Sequence, residues 1–276
     1  MWQQLLHRYL RLPYRLNSYE FRSPAQPSVT IVLLHGIGSS LGMWQPLIAK
    51  LPRSARVIGI DLLGFGASPK PAWNVYGART QADSIARTLF SLNISEPIIL
   101  VGHSLGSLVA IEFAHRHYPF TIKSLVLISP PLYKPDRHPK QFDPKPEEVL
   151  RRMYALMAEN PDATEKVLRL AGKYYLVNKG FRADTVNVPA YLASLEAAII
   201  NQQSYQDILK IKQPIHIVSG QFDAIVLDET IRDITRQQPN VEWTRALGGH
   251  EIAGAVRVAT IASISKAAKD TLTPDN

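Results

Sequence analysis

A chain of 276 residues with 46% hydrophobic content can bury one large core, or a core plus a smaller appended unit. It contains no cysteine, which excludes disulfides, thiolate chemistry and Cys-based metal sites and fits a reducing, cytoplasmic setting. The net charge is +8, yet the Lys and Arg residues are scattered and form no long run, so nucleic acid is not expected as a partner.

The densest basic stretch opens the chain, with Arg8, Arg11 and Arg15 interleaved with Leu5, Leu6, Tyr9, Leu10, Leu12 and Tyr14. It reads as a short amphipathic helix laid on the body, with peripheral contact to an anionic membrane surface as the alternative. Arginines interrupt any apolar h-region and no small-residue cleavage site follows, so a signal peptide is not expected. No stretch approaches about 18 uninterrupted apolar residues, so neither is a transmembrane helix.

Arg15 to Phe21 is expected as a first edge strand, followed by a turn at Ser23-Pro24-Ala25-Gln26-Pro27. Val29 to Leu34 is a continuous apolar run with β-branched residues, as in a strand covered on both faces. It ends in His35-Gly36-Ile37-Gly38-Ser39-Ser40, and a helix is expected over about Met43 to Leu51. Arg56 to Ile60 is the next strand, ending in Asp61-Leu62-Leu63-Gly64-Phe65-Gly66-Ala67-Ser68-Pro69. There Asp61 is expected to tie down a glycine-rich loop through backbone hydrogen bonds rather than to react. Tyr76 to Leu92 reads as a helix with Ile85, Leu89 and Leu92 on one face.

Ile98-Ile99-Leu100-Val101 then runs into Gly102-His103-Ser104-Leu105-Gly106, after which apolar residues recur at helical spacing. The pentapeptide Gly-x-Ser-x-Gly alone is weak, but at a strand-to-helix bend it describes a nucleophile elbow, with a serine hydroxyl raised above the sheet. Ser124 to Ile128 is another strand. This alternation predicts an α/β fold, a mostly parallel sheet with helices on both faces.

The rhythm breaks between Pro130 and Pro146, where six prolines fall and no strand can be drawn. Helical patterns follow at about Glu147 to Ala158, Ala163 to Val177 and Pro189 to Gln203. Residues 132–203 are therefore expected as an inserted helical cap on a core of 1–131 and 204–276. Tyr133, Met153, Met157 and Tyr174 are its candidate pocket residues. Strands resume at Ile215 to Ser219, entering Gly220-Gln221-Phe222-Asp223, and at Val241 to Leu247, entering Gly248-Gly249-His250. Helices are expected at about Leu227 to Gln237 and Glu251 to Ala268.

Ser104, Asp223 and His250 each directly follow a predicted parallel strand, so all three fall on the carboxyl edge of one sheet, where ligands of open α/β sheets gather. Asp136 and Asp228 are rival acids, but neither directly follows a strand. His35 and His103 read as loop-packing residues, His216 as sheet packing, and His7, His115, His117 and His138 as surface.

On these features the chain resembles the α/β-hydrolase fold superfamily in its cap-bearing branch, from about Val29 to Ala268. The motifs are His35-Gly36, Asp61-x-x-Gly64-x-Gly66-x-Ser68, Gly102-His103-Ser104-Leu105-Gly106, Gly220-x-x-Asp223 and Gly249-His250. The resemblance implies Ser104 as nucleophile, His250 as base and Asp223 as its orienting acid. It also implies an oxyanion hole made by the backbone N–H groups of Ile37 and Leu105. No metal or organic cofactor is implied.

Gly38-Ser39-Ser40 and Leu105-Gly106-Ser107 depart from the Gly-Pro-Gly and Met-Gly-Gly forms of C–C bond hydrolases in the superfamily. The elbow serine departs from the aspartate of epoxide hydrolases and haloalkane dehalogenases. The expectation is a serine esterase acting on a small, partly apolar substrate through an acyl-enzyme. The alternatives are a C–C bond hydrolase, a cofactor-free haloperoxidase-type perhydrolase, or a non-catalytic ligand-binding member of the fold.

Overall fold

The computed structural model describes residues 7–74, 76–134, 155, 159–160 and 188–272. Seven strands form one sheet: β1 (Ser18–Arg22), β2 (Val29–Leu34), β3 (Ala55–Ile60), β4 (Ile98–His103), β5 (Ile122–Ile128), β6 (Ile215–Gly220) and β7 (Val241–Ala246). Their spatial order is β1-β3-β2-β4-β5-β6-β7. β1 is antiparallel to β3 and every other pair is parallel. From β2 the chain progresses toward β1, and from β4 it progresses the opposite way, toward β7. The adjacent carboxyl ends of β2 and β4 are therefore the topological switch point of the sheet.

Among the described residues, the α-helices with defined bounds are α1 (Gln45–Ile48), α2 (Ala78–Ser91), α3 (Leu105–His115), α4 (Val188–Ser194), α5 (Ser204–Ile208), α6 (Asp228–Gln237) and α7 (Gly254–Leu272). Side-chain alternation along the strands divides the apolar core in two. Val32, Leu34, Leu100, Leu127 and Ile217 face α2, α3, α5 and α6, whereas Ile31, Leu33, Val101, Val126 and Val218 face α1 and α7. Both faces being covered is why these strands read as unbroken apolar runs, each such side chain contributing about 1.5–3 kcal/mol when fully buried.

Three expected elements differ. Strand β1 begins at Ser18 rather than Arg15, because Tyr14 and Leu16 use their backbone N–H groups elsewhere, on Ser84 Oγ and Thr88 Oγ1 of α2 at 3.3 and 2.9 Å. The helix expected over Met43 to Leu51 is a 3₁₀ turn at Leu41–Trp44 followed by the single turn α1, with Pro46 in its first turn. Helix α7 starts at Gly254, whose φ of +49° turns the chain into the helix, rather than at Glu251.

Of the first two expected cap helices only Ala155, which is helical, is described, and Met153, Met157 and Tyr174 lie outside the described residues. The third is present as α4, running directly into a π-helical stretch at Leu195–Ile200. Its Ala190, Leu195, Ala198, Ile199 and Ile200 pack into the core on the α2–α3 side.

Candidate active site

Strand β4 is buried along its whole length and turns into α3 at Ser104, whose φ of +51° and ψ of −116° lie outside the ordinary regions for a residue with a side chain. Such a conformation costs about 1–3 kcal/mol and is held only where its surroundings impose it. Here Ser104 N–H donates to Ile128 O at 2.9 Å and Ser107 Oγ donates to Gly102 O at 2.8 Å, clamping the bend from both sides. The glycines permit the close approach: a Cβ on Gly102 would lie 2.3 Å from Gly106 O, and one on Gly106 would lie 2.2 Å from Leu34 O. Gly106→Ala therefore forces α3 away from β2. It is expected to cost about 1–3 kcal/mol or more, read as a lowered urea midpoint with an unchanged slope.

Asp223 follows β6 and His250 follows β7, and the two side chains meet. His250 Nδ1–H donates to Asp223 Oδ2 at 2.9 Å and lies 3.0 Å from Oδ1. The Asp223 side chain is 1% exposed and that of His250 20%, so the pair is sheltered at its acid end and reachable at its imidazole end. Burial pushes the Asp223 carboxyl up. The hydrogen bond and charge of His250, the Ile225 N–H and the neighbouring Ser129 outweigh it and hold the group below its usual value. The rival Asp228 is turned away to Arg245 at 2.8 Å, and Asp136 lies outside the described residues.

The His250 loop is anchored to the elbow by His103, the residue before Ser104. Its Nε2–H donates to His250 O at 2.9 Å, with the two rings 5.1 Å apart. Burial and the nearby His250 push the His103 pKa down to about 3, so this ring is a neutral strut. His35 is buried too. Its Nδ1–H donates to Gly36 O at 2.7 Å and its Nε2 accepts from Leu62 N–H at 2.9 Å, joining the loops after β2 and β3. Asp61 accepts from Leu41 N–H, Ala67 N–H and Asn17 Nδ2–H at 2.6–2.9 Å, the loop-tying role expected of it.

The N–H groups of Ile37 and Leu105 donate to no acceptor among the described residues, and both lie at the switch point where β2 and β4 end. Tyr133 is 6% exposed, and its hydroxyl donates to Ile225 O at 3.1 Å. It braces the turn whose Ile225 N–H donates to Asp223 Oδ1 at 3.0 Å. Sequence reasoning missed this strut and missed Ser129, whose position at the end of β5 follows the rule that located the other three residues. Among the described residues, no cluster of His, Asp and Glu is placed to hold a metal ion, and no helix is long and apolar enough to cross a membrane.

The buried histidines set an acid limit on stability. His103, His35 and His216 are all held below the ordinary imidazole value by burial, so they stay neutral in the folded protein at a pH where the unfolded chain takes up protons. Their contribution is complete above about pH 6.5 and is lost as pH falls, at up to about 1.4 kcal/mol per pH unit per histidine; for His103 the loss continues to about pH 3. A urea midpoint that falls steadily from pH 6.5 to 4.5, with a shallower fall in His103→Gln, is the expected result. A flat profile in the parent protein would sink the assignment.

The sheet is mostly parallel, with a serine elbow after β4, an acid after β6 and a histidine after β7. The alpha/beta hydrolase fold model matches residues 29–253, and the chain belongs to this family. It is 34% identical over 119 residues to the probable lysophospholipase BODYGUARD 3 of Arabidopsis thaliana, covering 41% of this chain and 24% of that protein. It is 42% identical over 100 residues to the putative carbamate hydrolase RutD of Pantoea ananatis, covering 36% of each. The matched stretch thus spans about a quarter to a third of these relatives' length. Among solved structures, an esterase from Exiguobacterium antarcticum superposes with a TM-score of 0.75 at 17% identity, covering 92% of this chain and 95% of that one. E-2-(acetamidomethylene)succinate hydrolase gives a TM-score of 0.69 at 23% identity, covering 91% and 94%. At these identities the two structures speak for the fold.

Proposed function

We propose that this protein is a serine hydrolase that cleaves an ester or related acyl bond of a small, partly apolar substrate through an acyl-enzyme intermediate. The observation that carries the reading is the sheltered His250–Asp223 hydrogen bond, with the His250 backbone anchored by His103 next to Ser104. With Nδ1 engaged as a donor, Nε2 of the neutral imidazole is left as the basic nitrogen. It removes the Ser104 hydroxyl proton as Oγ attacks the acyl carbon, and Asp223 stabilises the imidazolium that forms.

The carbonyl electron pair moves onto oxygen, which the Ile37 and Leu105 N–H groups receive, each such donor being worth about 3 kcal/mol. Collapse of this adduct breaks the bond to the leaving alcohol, which takes its proton from His250. Water then attacks the acyl-enzyme by the same route and frees Ser104. Membership of the alpha/beta hydrolase fold family supports the reading. The cap over residues 132–203 remains part of this proposal, as the element that would cover the acyl portion.

The test is intact mass after incubation with a fluorophosphonate, followed by peptide mapping. A single adduct on Ser104 is expected, and a p-nitrophenyl ester series then measures acyl-length preference. Folded protein that gives no adduct, or one on another residue, overturns the mechanism.

A further inference from the structure

Among the described residues of the N-terminal segment, the helix expected there does not continue past Tyr9. Residues 7–9 form a helical turn, which His7 closes by donating from Nδ1 to Leu12 O at 2.7 Å while its ring stacks on Tyr14 at 3.8 Å. From Tyr14 to Leu16 the chain is pinned along α2, with Tyr14 N–H on Ser84, Leu16 N–H on Thr88, and Arg87 donating to Pro13 O at 2.5 Å. Residues 7–12 are thereby held toward the first turn of α2. Because α2 follows a parallel strand and returns antiparallel to it, its first turn lies at the carboxyl edge of the sheet, the same edge as Ser104.

Between this hook and α2 lies a cavity of about 640 Å³ whose wall includes Arg8, Arg11, Arg79, Tyr14 and Trp73. The three arginines are exposed and make no ion pair among the described residues. Asp83, the one acid on the wall, is already engaged by Arg116 and Tyr118. Beside the cavity stand exposed apolar side chains: Tyr9 is 70% exposed, Leu10 65%, Leu12 41% and Trp73 37%. The surface thus pairs unneutralised guanidinium groups with a rim of aliphatic and aromatic side chains.

We infer that this surface docks on an anionic lipid bilayer, with Arg8, Arg11 and Arg79 on the phosphates of the headgroups and Leu10, Leu12, Tyr9 and Trp73 entering the interface. Charge selects the anionic partner, since guanidinium groups pair bidentately with phosphate. The leucines select a bilayer over a nucleic acid, which offers stacking to aromatic rings but no apolar medium for aliphatic side chains. The tether to α2 fixes the docking face on the rim of the sheet that carries Ser104. Docking by this surface does not depend on whether Ser104 is a nucleophile.

The experiment is sedimentation of the full chain with vesicles of phosphatidylcholine alone and of phosphatidylcholine mixed with phosphatidylglycerol, at low and high salt. Salt-sensitive binding to the mixed vesicles is expected, with little to the neutral ones. Neutralising one arginine should weaken it about fivefold, and Arg8→Gln, Arg11→Gln and Arg79→Gln together on the order of 100-fold. Leu10→Ser should weaken it about tenfold without changing the salt dependence. All these side chains are exposed, and an unchanged melting temperature in each variant shows that the fold is intact. Equal binding to both vesicle types, or arginine variants that bind like the parent, overturns the proposal. So does displacement by inorganic phosphate, or by RNA with the Leu10→Ser variant unaffected, either of which would make the surface a site for soluble anions.

Discussion

Ser104→Ala is expected to lower kcat on p-nitrophenyl esters by about 10⁴- to 10⁶-fold while leaving the urea midpoint within about 1 kcal/mol of the parent. The hydroxyl is removed from a backbone position that its neighbours hold, since the clamp on the bend uses Ser104 N–H, Ser107 Oγ and two carbonyls rather than the Ser104 side chain. The elbow should keep its shape, so the loss reads chemistry alone. Residual activity above that range would remove Ser104 from the mechanism. A large drop in stability would mean that the substitution tests folding instead, and Ser104→Cys would then separate the two, keeping volume and a nucleophile.

The second large effect falls on Asp223→Asn, expected to reduce kcat by about 10⁴-fold with a much smaller change in KM. The carboxylate accepts from Nδ1 through both oxygens, and its Oδ1 also accepts from the Ile225 and Val226 N–H groups at 3.0 and 3.3 Å. An amide oxygen satisfies the backbone donors and then points its NH₂ at His250. That presses the imidazole into the tautomer with its proton on Nε2, which cannot take the Ser104 proton. Asp228→Asn is the control. Its carboxylate pairs with Arg245, so kcat should stay near that of the parent. If the two variants lose activity alike, the choice of acid is wrong.

Much of the site was legible because each of its parts is announced locally. Ser104 sits in a pentapeptide whose glycines are required by contacts of 2.2–2.3 Å, and Asp223 and His250 each lie just past the end of a recognisable strand. The rule that ligands gather beyond strand carboxyl ends needs only the strand positions, and β2, β4 and β6 begin where their apolar runs do. The supporting residues were not legible. His103 reaches a carbonyl 147 residues away, and Tyr133 one 92 residues away. A hydrogen bond of that span leaves no periodicity, spacing or composition signal, so His103 read as a residue packed in a loop and Tyr133 as a candidate pocket residue.

The N-terminal segment shows the same division. Arginines interleaved with apolar residues are visible in the sequence and suggest an amphipathic surface. That the segment is a hook rather than a helix depends on Ser84 and Thr88 of α2 accepting backbone donors from residues 70 and more positions earlier. The sequence by itself determined the strand runs, their burial on two faces and the serine elbow, because these follow from the local spacing of apolar residues and glycines. The tertiary structure alone decided which loops are tied to which, what braces the Asp223 turn and where the basic segment is held, because those are pairings between groups far apart in the chain.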